Sequence, residues 1–546
     1  MNTISPKRID APVLTLLVSA FLLAVYNLRF WQTFVDATGG LSIGNIPLHL
    51  GTFLLLVLIF NGFLTLVNFR FVIKPVLITL LLVTSTTSYF MSQYGIQIDK
   101  SMVQNLLETN VYEARELLNW KLVLTVLVLG IGPSLAVAYA KLSYPSVRRD
   151  FALKAGTLAA SVIVVTVLLL VFFKSLAPAV REHRELRYLL TPTNYIQAVH
   201  GYLKQAWSRP LVVAPLGTDA IKGKQWAGRP RRTVTVIVVG ETARAKNFSL
   251  NGYGPNTNPL LSKQEDLINF TNMQSCGTAT AVSVPCVFSA LGREHYSDTK
   301  ARSQQGLLDV IAHAGFGVLW RDNNSGCKGV CDRVQYEDMS LPVHGDPLCV
   351  GDECYDERLL NQLPAMISKA TKDLVIVLHQ KGSHGPAYWK RYPAGFRHFG
   401  PECQTNELDK CSRESIVAAY DNSILYTDYF LNKTIDLLKR SGEEDQVDTS
   451  MLYFSDHGES LGEQNMYLHG APYIISPAEQ RHVPFMLWLS KGFRSRFAID
   501  YKCLAARSGQ VFSHDNVFHS VLGMLNINTA VYNPALDLFH ACTYGR

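Results

Sequence analysis

The first cysteine of this 546-residue chain is Cys276; ten lie from there onward and none before. The leading half therefore has no disulfide and no thiolate metal site. Charge is missing from it as well. No Lys, Arg, Asp or Glu occurs from Ala11 to Leu28, Leu50 to Phe69, Pro75 to Ile98, Leu122 to Ala140 or Ala155 to Phe173. Five such runs exclude a signal peptide followed by a soluble enzyme, which would need only one. The chain also has no internal repeat, no long low-complexity tract and no clustered basic stripe. Its net charge of +7 is dispersed, and no nucleic-acid partner is expected. Cys-x-Pro-x-Arg and Ser-x-Pro-x-Arg, from which a sulfatase makes formylglycine, do not occur.

What is present falls into two parts, since a single core rarely grows beyond about 250–300 residues. Five membrane-spanning helices are expected near 11–31, 48–68, 71–93, 120–140 and 155–175, because each run supplies roughly the 20 apolar residues that cross a bilayer. Lys7 and Arg8, Arg70 and Lys74, and the set Lys141, Arg148, Arg149 and Lys154 all fall on one side of these spans. Short basic loops stay cytoplasmic, so the start is inside. With an odd number of spans, everything after residue 176 is outside.

The cysteines agree with that topology. They fall as neighbours, Cys276 with Cys286, Cys327 with Cys331, Cys349 with Cys354, and Cys403 with Cys411, with Cys503 and Cys542 left over. An even count confined to the outer part predicts up to five disulfides in an oxidising compartment, adjacent pairing being the simplest connectivity. Residues 1–175 are read as the membrane domain, 176–230 as a polar, Pro-containing bridge, and 231–546 as the outer domain. Within 94–119, Ser101–Glu108 and Ala114–Leu118 have the spacing of an outward-facing amphipathic helix that suits a membrane interface.

The outer domain begins with the β-branched run Thr233–Val239, the kind buried in a parallel sheet. Phe316–Trp320, Leu374–Leu378 and Met451–Phe454 look like further core strands, with helices near Leu359–Ala370 and Ser415–Lys439. This alternation predicts an α/β domain with helices on both faces. Each core strand is followed at once by polar residues: Gly240-Glu241-Thr242-Ala243-Arg244, Arg321-Asp322-Asn323-Asn324, His379-Gln380-Lys381-Gly382-Ser383-His384-Gly385, and Ser455-Asp456-His457-Gly458-Glu459. Sites in open α/β sheets form beyond the carboxyl ends of strands, so these residues should converge. Glu241, Asp456 and His457 offer the oxygen and nitrogen donors that suit catalytic Zn²⁺. A divalent cation lowers the pKa of a hydroxyl enough for attack on phosphorus. The Thr/Ser-rich stretch Ser275–Cys286 supplies that hydroxyl, and composition alone does not choose among Thr278, Thr280 and Ser283.

These strings, together with Ser275-Cys276-Gly277-Thr278-Ala279-Thr280-Ala281-Val282-Ser283-Val284-Pro285-Cys286 and Gly382-Ser383-His384-Gly385-Pro386, resemble the phosphoethanolamine-lipid A transferases. That family includes the mobile colistin-resistance enzymes and belongs to the alkaline phosphatase and sulfatase superfamily. The resemblance runs over nearly the whole chain. It implies a five-helix transmembrane domain plus a periplasmic α/β, alkaline-phosphatase-like (sulfatase-like) domain with a central, mostly parallel sheet.

The resemblance also implies roles. Thr280 becomes the nucleophile, Glu241, Thr280, Asp456 and His457 the main shell of one zinc ion, and His384 and His469 members of a second metal or phosphate position. Asn324 and Lys328 match positions that contact phosphoethanolamine, and Asn105, Thr109 and Glu113 match positions linked with lipid binding. The implied donor is phosphatidylethanolamine and the acceptor lipid A, for a monomeric enzyme of the Gram-negative inner membrane. The expected effect is a less anionic outer surface and resistance to polymyxins, colistin among them. The alternatives are a transferase acting on a lipopolysaccharide core sugar or periplasmic glucan, and a phosphoglycerol transferase.

Overall fold

The computed structural model describes residues 8–108, 111–183, 185–207, 212–228, 231–351 and 353–544. It divides into two compact units: residues up to 100 together with 118–200, and residues 101–117 together with 201 onward. The segment read from sequence as an interfacial connector thus belongs to the second unit, as helices Lys100–Glu108 and Val111–Glu116.

Among the described residues of the first unit, four helices are long and apolar enough to cross a bilayer: Ile46–Leu66, Ile73–Tyr94, Trp120–Tyr139 and Val147–Phe173. The last has a mean hydropathy of 2.6 and only 6% of it is buried. A helix so apolar and so exposed needs lipid as its solvent. The expected span at 11–31 is not one straight helix. Ala11–Val25 and Leu28–Ala37 meet at a bend of 66°, so the unit has five spans if this pair is counted as one. Asn27 explains the break. Its side-chain amide donates to Leu22 O (2.9 Å) and Thr191 O (3.0 Å), and its Oδ1 accepts from Thr191 N (2.8 Å), so a polar side chain takes over backbone bonding at the turn. The fifth helix runs on as Val147–Glu182, past the expected end at 175.

The second unit is built on an eight-stranded sheet. In chain order the strands are β1 (Thr233–Gly240), β2 (Leu267–Gln274), β3 (Gly317–Asp322), β4 (Gln335–Asp338), β5 (Leu374–His379), β6 (Asp448–Ser455), β7 (His482–Leu489) and β8 (Phe512–Ser513). Their spatial order is β8-β2-β7-β6-β1-β5-β3-β4. The four strands legible in the sequence, β6, β1, β5 and β3, lie side by side and parallel in the middle. Beyond β6 the sheet turns antiparallel through β7 and β2. Neither strand was read from the sequence. Pro484 cannot donate to a ladder, and the β7–β2 register shifts beside it, between Val483 and Phe485.

Every residue of β1 is buried, as a strand with parallel neighbours and helices on both faces must be. Ile237 and Val239 pack in one core with Val284, Phe288, Trp320, Leu452 and Phe454. The 32-residue helix Arg413–Glu444, capped by Ser412 Oγ accepting from Ser415 N (3.2 Å), packs against β6. It outruns the expected Ser415–Lys439 at both ends. The helix expected over Leu359–Ala370 is interrupted, because Gln362 takes φ +60° and the α-helix restarts at Leu363–Lys369 with Pro364 in its first turn. Polar groups inside the sheet are paired, as Thr235 Oγ1 with Ser450 Oγ at 2.8 Å. All ten cysteines form disulfides, each with the adjacent partner.

Leu452 is 2% exposed in this core. Leu452→Ala is expected to cost about 2–5 kcal/mol, read as a lower midpoint when near-UV circular dichroism is followed on heating; an unchanged midpoint would mean the site collapses around the missing side chain.

Candidate active site

Parallel neighbours end at the same edge, and the residues after β6, β1, β5 and β3 do converge there. Glu241 leaves β1, Asp456 and His457 leave β6, and Asn324 leaves β3. Glu241, Asp456 and His457 are completely buried. His457 Nε2 lies 3.4 Å from Glu241 Oε1 and 3.3 Å from Asp456 Oδ2. Thr242 makes the turn that presents Glu241, with φ +60°, a strained value of about 1–3 kcal/mol for a β-branched residue. It is held there by its hydroxyl on Glu241 Oε1 (2.5 Å) and by Tyr420 Oη donating to its carbonyl (2.8 Å).

The structure separates the three hydroxyls that composition left equal. Thr278 donates to Ala471 O (2.6 Å) and Ser283 to Asp456 O (2.5 Å), so both brace the loop. Thr280 Oγ1 instead faces Glu241 Oε2 (3.1 Å), Glu241 Oε1 (3.3 Å) and His457 Nε2 (3.3 Å). Thr280 is the first residue of the helix Thr280–Val287, where the unpaired amides and the helix dipole favour negative charge. The Cys276–Cys286 bridge ties the loop to that helix. His514 anchors it from behind, accepting from Cys276 N (3.2 Å); burial holds this imidazole down at about 3, so it remains neutral.

The electrostatics fit a cation. Burial alone pushes Glu241 up, but His457, His384 and His469 outweigh it and hold the carboxyl well below its usual range. Asp456 is raised by burial first and then by Glu241, a like charge in the same dry place. Its Oδ2 is buried without a hydrogen-bond donor among the described residues. Glu241, His457 and His469 each offer a ligand atom within 4.8 Å of the other two. A divalent cation would relieve the repulsion and use the orphaned oxygen. His469 joins this group more directly than the separate second position expected for it. Its ring lies 4.4 Å from that of His457 and 5.4 Å from that of His384, and its Nδ1 is 3.3 Å from buried Glu459.

The other expected residues are placed unevenly. Asn324 Nδ2 donates to Glu241 Oε2 (2.7 Å). Lys328, at φ +53° inside the Cys327–Cys331 bridge, donates to Ser325 O (2.9 Å), Ser325 Oγ (3.0 Å) and Glu108 O (3.2 Å). Asn105 is half-buried on Lys100–Glu108. Thr109 lies outside the described residues, as does the side chain of Glu113. Met102, on the same helix as Asn105, packs on Gly470 beside His469, close enough that a Cβ on Gly470 would meet its Cε at 2.8 Å.

One arrangement was missed by the sequence reading. Asp322 and His379 are register partners at the ends of β3 and β5, and His379 Nδ1 bonds Asp322 Oδ2 at 2.9 Å. His379 Nε2 lies 3.3 Å from Asn324 Nδ2, which in turn holds Glu241. Trp320 Nε1 completes the chain by donating to Asp322 Oδ2 (2.7 Å). The signal was strand pairing, which residue spacing does not reveal.

Glu241→Gln removes one of the two buried charges that a cation would balance. Purified variant is expected to retain about tenfold less divalent metal or lower than the unaltered chain, by elemental mass spectrometry after dialysis. Equal metal content would remove Glu241 from the ligand set.

Comparison with known proteins follows the same division. The Sulfatase family model matches residues 233–527, and the model described as phosphoethanolamine transferase EptA/EptB matches residues 56–207. Phosphoethanolamine transferase EptA of Escherichia coli is 39% identical over 530 residues, covering 96% of each chain. Phosphatidylethanolamine transferase Mcr-1, also from Escherichia coli, is 39% identical over 89% of this chain and 91% of its own. The solved integral membrane protein lipooligosaccharide phosphoethanolamine transferase A (EptA) from Neisseria meningitidis superposes with a TM-score of 0.94 at 34% identity, covering 99% of this chain and 100% of that one. Identity at this level over the full length, membrane helices and sulfatase-like domain together, means that this chain belongs to the phosphoethanolamine transferase family of membrane enzymes.

Proposed function

We propose that the chain transfers phosphoethanolamine from phosphatidylethanolamine to a phosphate of lipid A, through a phosphothreonine-type intermediate on Thr280. The observation that carries this reading is Thr280 Oγ1 at a helix N-terminus, 3.1 Å from Glu241 and 3.3 Å from His457. Its oxygen attacks the phosphorus of the donor, the bond to diacylglycerol breaks, and the departing oxygen takes up a proton. A lipid A phosphate oxygen then attacks the phosphorus held on Thr280, whose own oxygen leaves and is reprotonated. His384 and His469, in one cluster with His457, are suited to hold and return these protons. Glu241, Thr280, Asp456 and His457 would hold one Zn²⁺, with His469 near enough to share it. When bound, that ion makes a hydroxyl more acidic and stabilises charge on phosphoryl oxygens.

Asn324 and Lys328 are assigned to the phosphoethanolamine group. The acceptors Lys328 bonds are uncharged oxygens, which leave its charge for a phosphate. Asn105, Thr109 and Glu113 are assigned to the lipid side of the same site. Residues 1–175, apart from the segment 101–117 that belongs to the other unit, serve as the membrane domain, the stretch 176–230 as the bridge between the two units, and 231–546 as the catalytic domain, which acts as a monomer.

The chain is a multi-pass protein of the inner membrane with its catalytic domain in the periplasm. The added amine lowers outer-surface negative charge and, with it, polymyxin binding. The test is mass spectrometry of lipid A from a Gram-negative host without its own transferases, comparing the unaltered chain with Thr280→Ala at equal expression. Phosphoethanolamine should appear on lipid A only with the unaltered chain, together with raised colistin tolerance. Modification by Thr280→Ala would remove the nucleophile assignment, and unmodified lipid A with correctly folded enzyme would redirect the acceptor to core sugars or glucans.

A further inference from the structure

His379 is wholly buried, and the transfer reaction as written gives it no part. A buried imidazole needs a partner for each ring nitrogen, and the nature of those partners fixes which nitrogen carries the proton. Nδ1 lies 2.9 Å from Asp322 Oδ2, and Nε2 lies 3.3 Å from Asn324 Nδ2.

The Asp322 carboxylate is an acceptor on every side. Its Oδ2 also receives Trp320 Nε1 (2.7 Å), and its Oδ1 receives Asn324 N (2.9 Å) and Gly326 N (3.1 Å), so four N–H groups converge on it. His379 therefore donates from Nδ1. Asn324 decides the other nitrogen. Its Nδ2 donates to Glu241 Oε2 (2.7 Å), and its Oδ1 accepts from Ser325 N (2.8 Å). Reversing the amide would set two oxygens 2.7 Å apart and two N–H donors 2.8 Å apart, so its orientation is fixed from both ends. The second hydrogen of Nδ2 is the one that faces His379, and Nε2 meets it with a lone pair. Burial lowers the pKa of His379, whereas Asp322, Glu241 and Asp456 raise it above its ordinary value, so the ring would take a second proton if Nε2 faced an acceptor. It faces an N–H instead. The Asn324 amide is thus shared between two acceptors, His379 and Glu241. Glu241 Oε1 is held separately by the Thr242 hydroxyl (2.5 Å), which leaves Asn324 to set the tilt of the carboxylate through Oε2.

We infer that His379 is a positioning residue for the metal site: as an Nδ1–H imidazole anchored by Asp322, it orients the Asn324 amide and, through it, the carboxylate of Glu241. The inference rests on Glu241 being a metal ligand, which Glu241→Gln tests by itself. His379→Gln and His379→Asn divide the two bonds of the ring. Glutamine reaches the place of Nε2 and offers Asn324 an acceptor, whereas asparagine reaches only the place of Nδ1 and keeps the donor to Asp322. Zinc affinity is measured on the metal-free full chain by competition with a fluorescent chelator. His379→Asn should weaken it about tenfold or more, and His379→Gln by about threefold at most. Diacylglycerol release from phosphatidylethanolamine vesicles should fall in His379→Asn at limiting zinc and recover at saturating zinc. In an Asn324→Ala background His379→Asn should add no further loss, because the relay is already cut. Unchanged affinity in His379→Asn, equal losses in both variants, or a full His379→Asn effect without Asn324 would leave His379 a packing role and overturn the inference, with the zinc reading intact. Undiminished zinc binding by Glu241→Gln would remove the ligand on which it rests. The titration involves no acceptor lipid, so a failure of lipid A as acceptor would show in the lipid analysis alone.

Discussion

Glu241 and Asp456 place two carboxylates, wholly buried, at the ends of adjacent strands, and much of the catalytic unit is arranged around that repulsion. Neither charge is stable in a dry interior without compensation. His457, His384 and His469 supply part of it, Asn324 and Thr242 donate to Glu241, and the chain from Trp320 through Asp322 and His379 steadies Asn324. What remains is a site whose charge suits a cation, with the hydroxyl of Thr280 facing both Glu241 and His457.

The scaffold makes this placement rigid. Four parallel strands in register end at one edge, helix Thr280–Val287 packs through Val284 and Val287 into the core beneath them, and the Cys276–Cys286 bridge closes its leading loop. The segment 101–117 is held to the same unit by charge: Arg302 bonds Glu108 (3.0 Å), and Arg391 bonds the carboxylate of Glu116. Through Glu116 and Arg115 this segment also lines a cavity bounded by Glu353, Trp389 and Arg391.

Much of this was legible in the residues themselves. Charge-free runs gave the spans, cysteine spacing gave the adjacent disulfides, and β1, β3, β5 and β6 were visible as continuous apolar runs because a doubly covered parallel strand has no polar face. The strands β2 and β7 were not visible. One alternates with polar residues and the other is interrupted by Pro484, so neither carries that signature. The break at Asn27 was hidden in the same way, since its cause is Thr191, more than a hundred residues distant.

The sequence by itself determined which residue types stand after which strands, and the rule that parallel strands share an open edge was enough to bring Glu241, Asp456 and His457 together. Only the tertiary structure decided among the hydroxyls, joined His469 to that group, and set His379 and Asp322 behind Asn324. The reason is physical. Covalent neighbours and periodicity are local, whereas the direction of a side chain within a turn, and the register of two strands, are fixed by packing against residues far away in the chain.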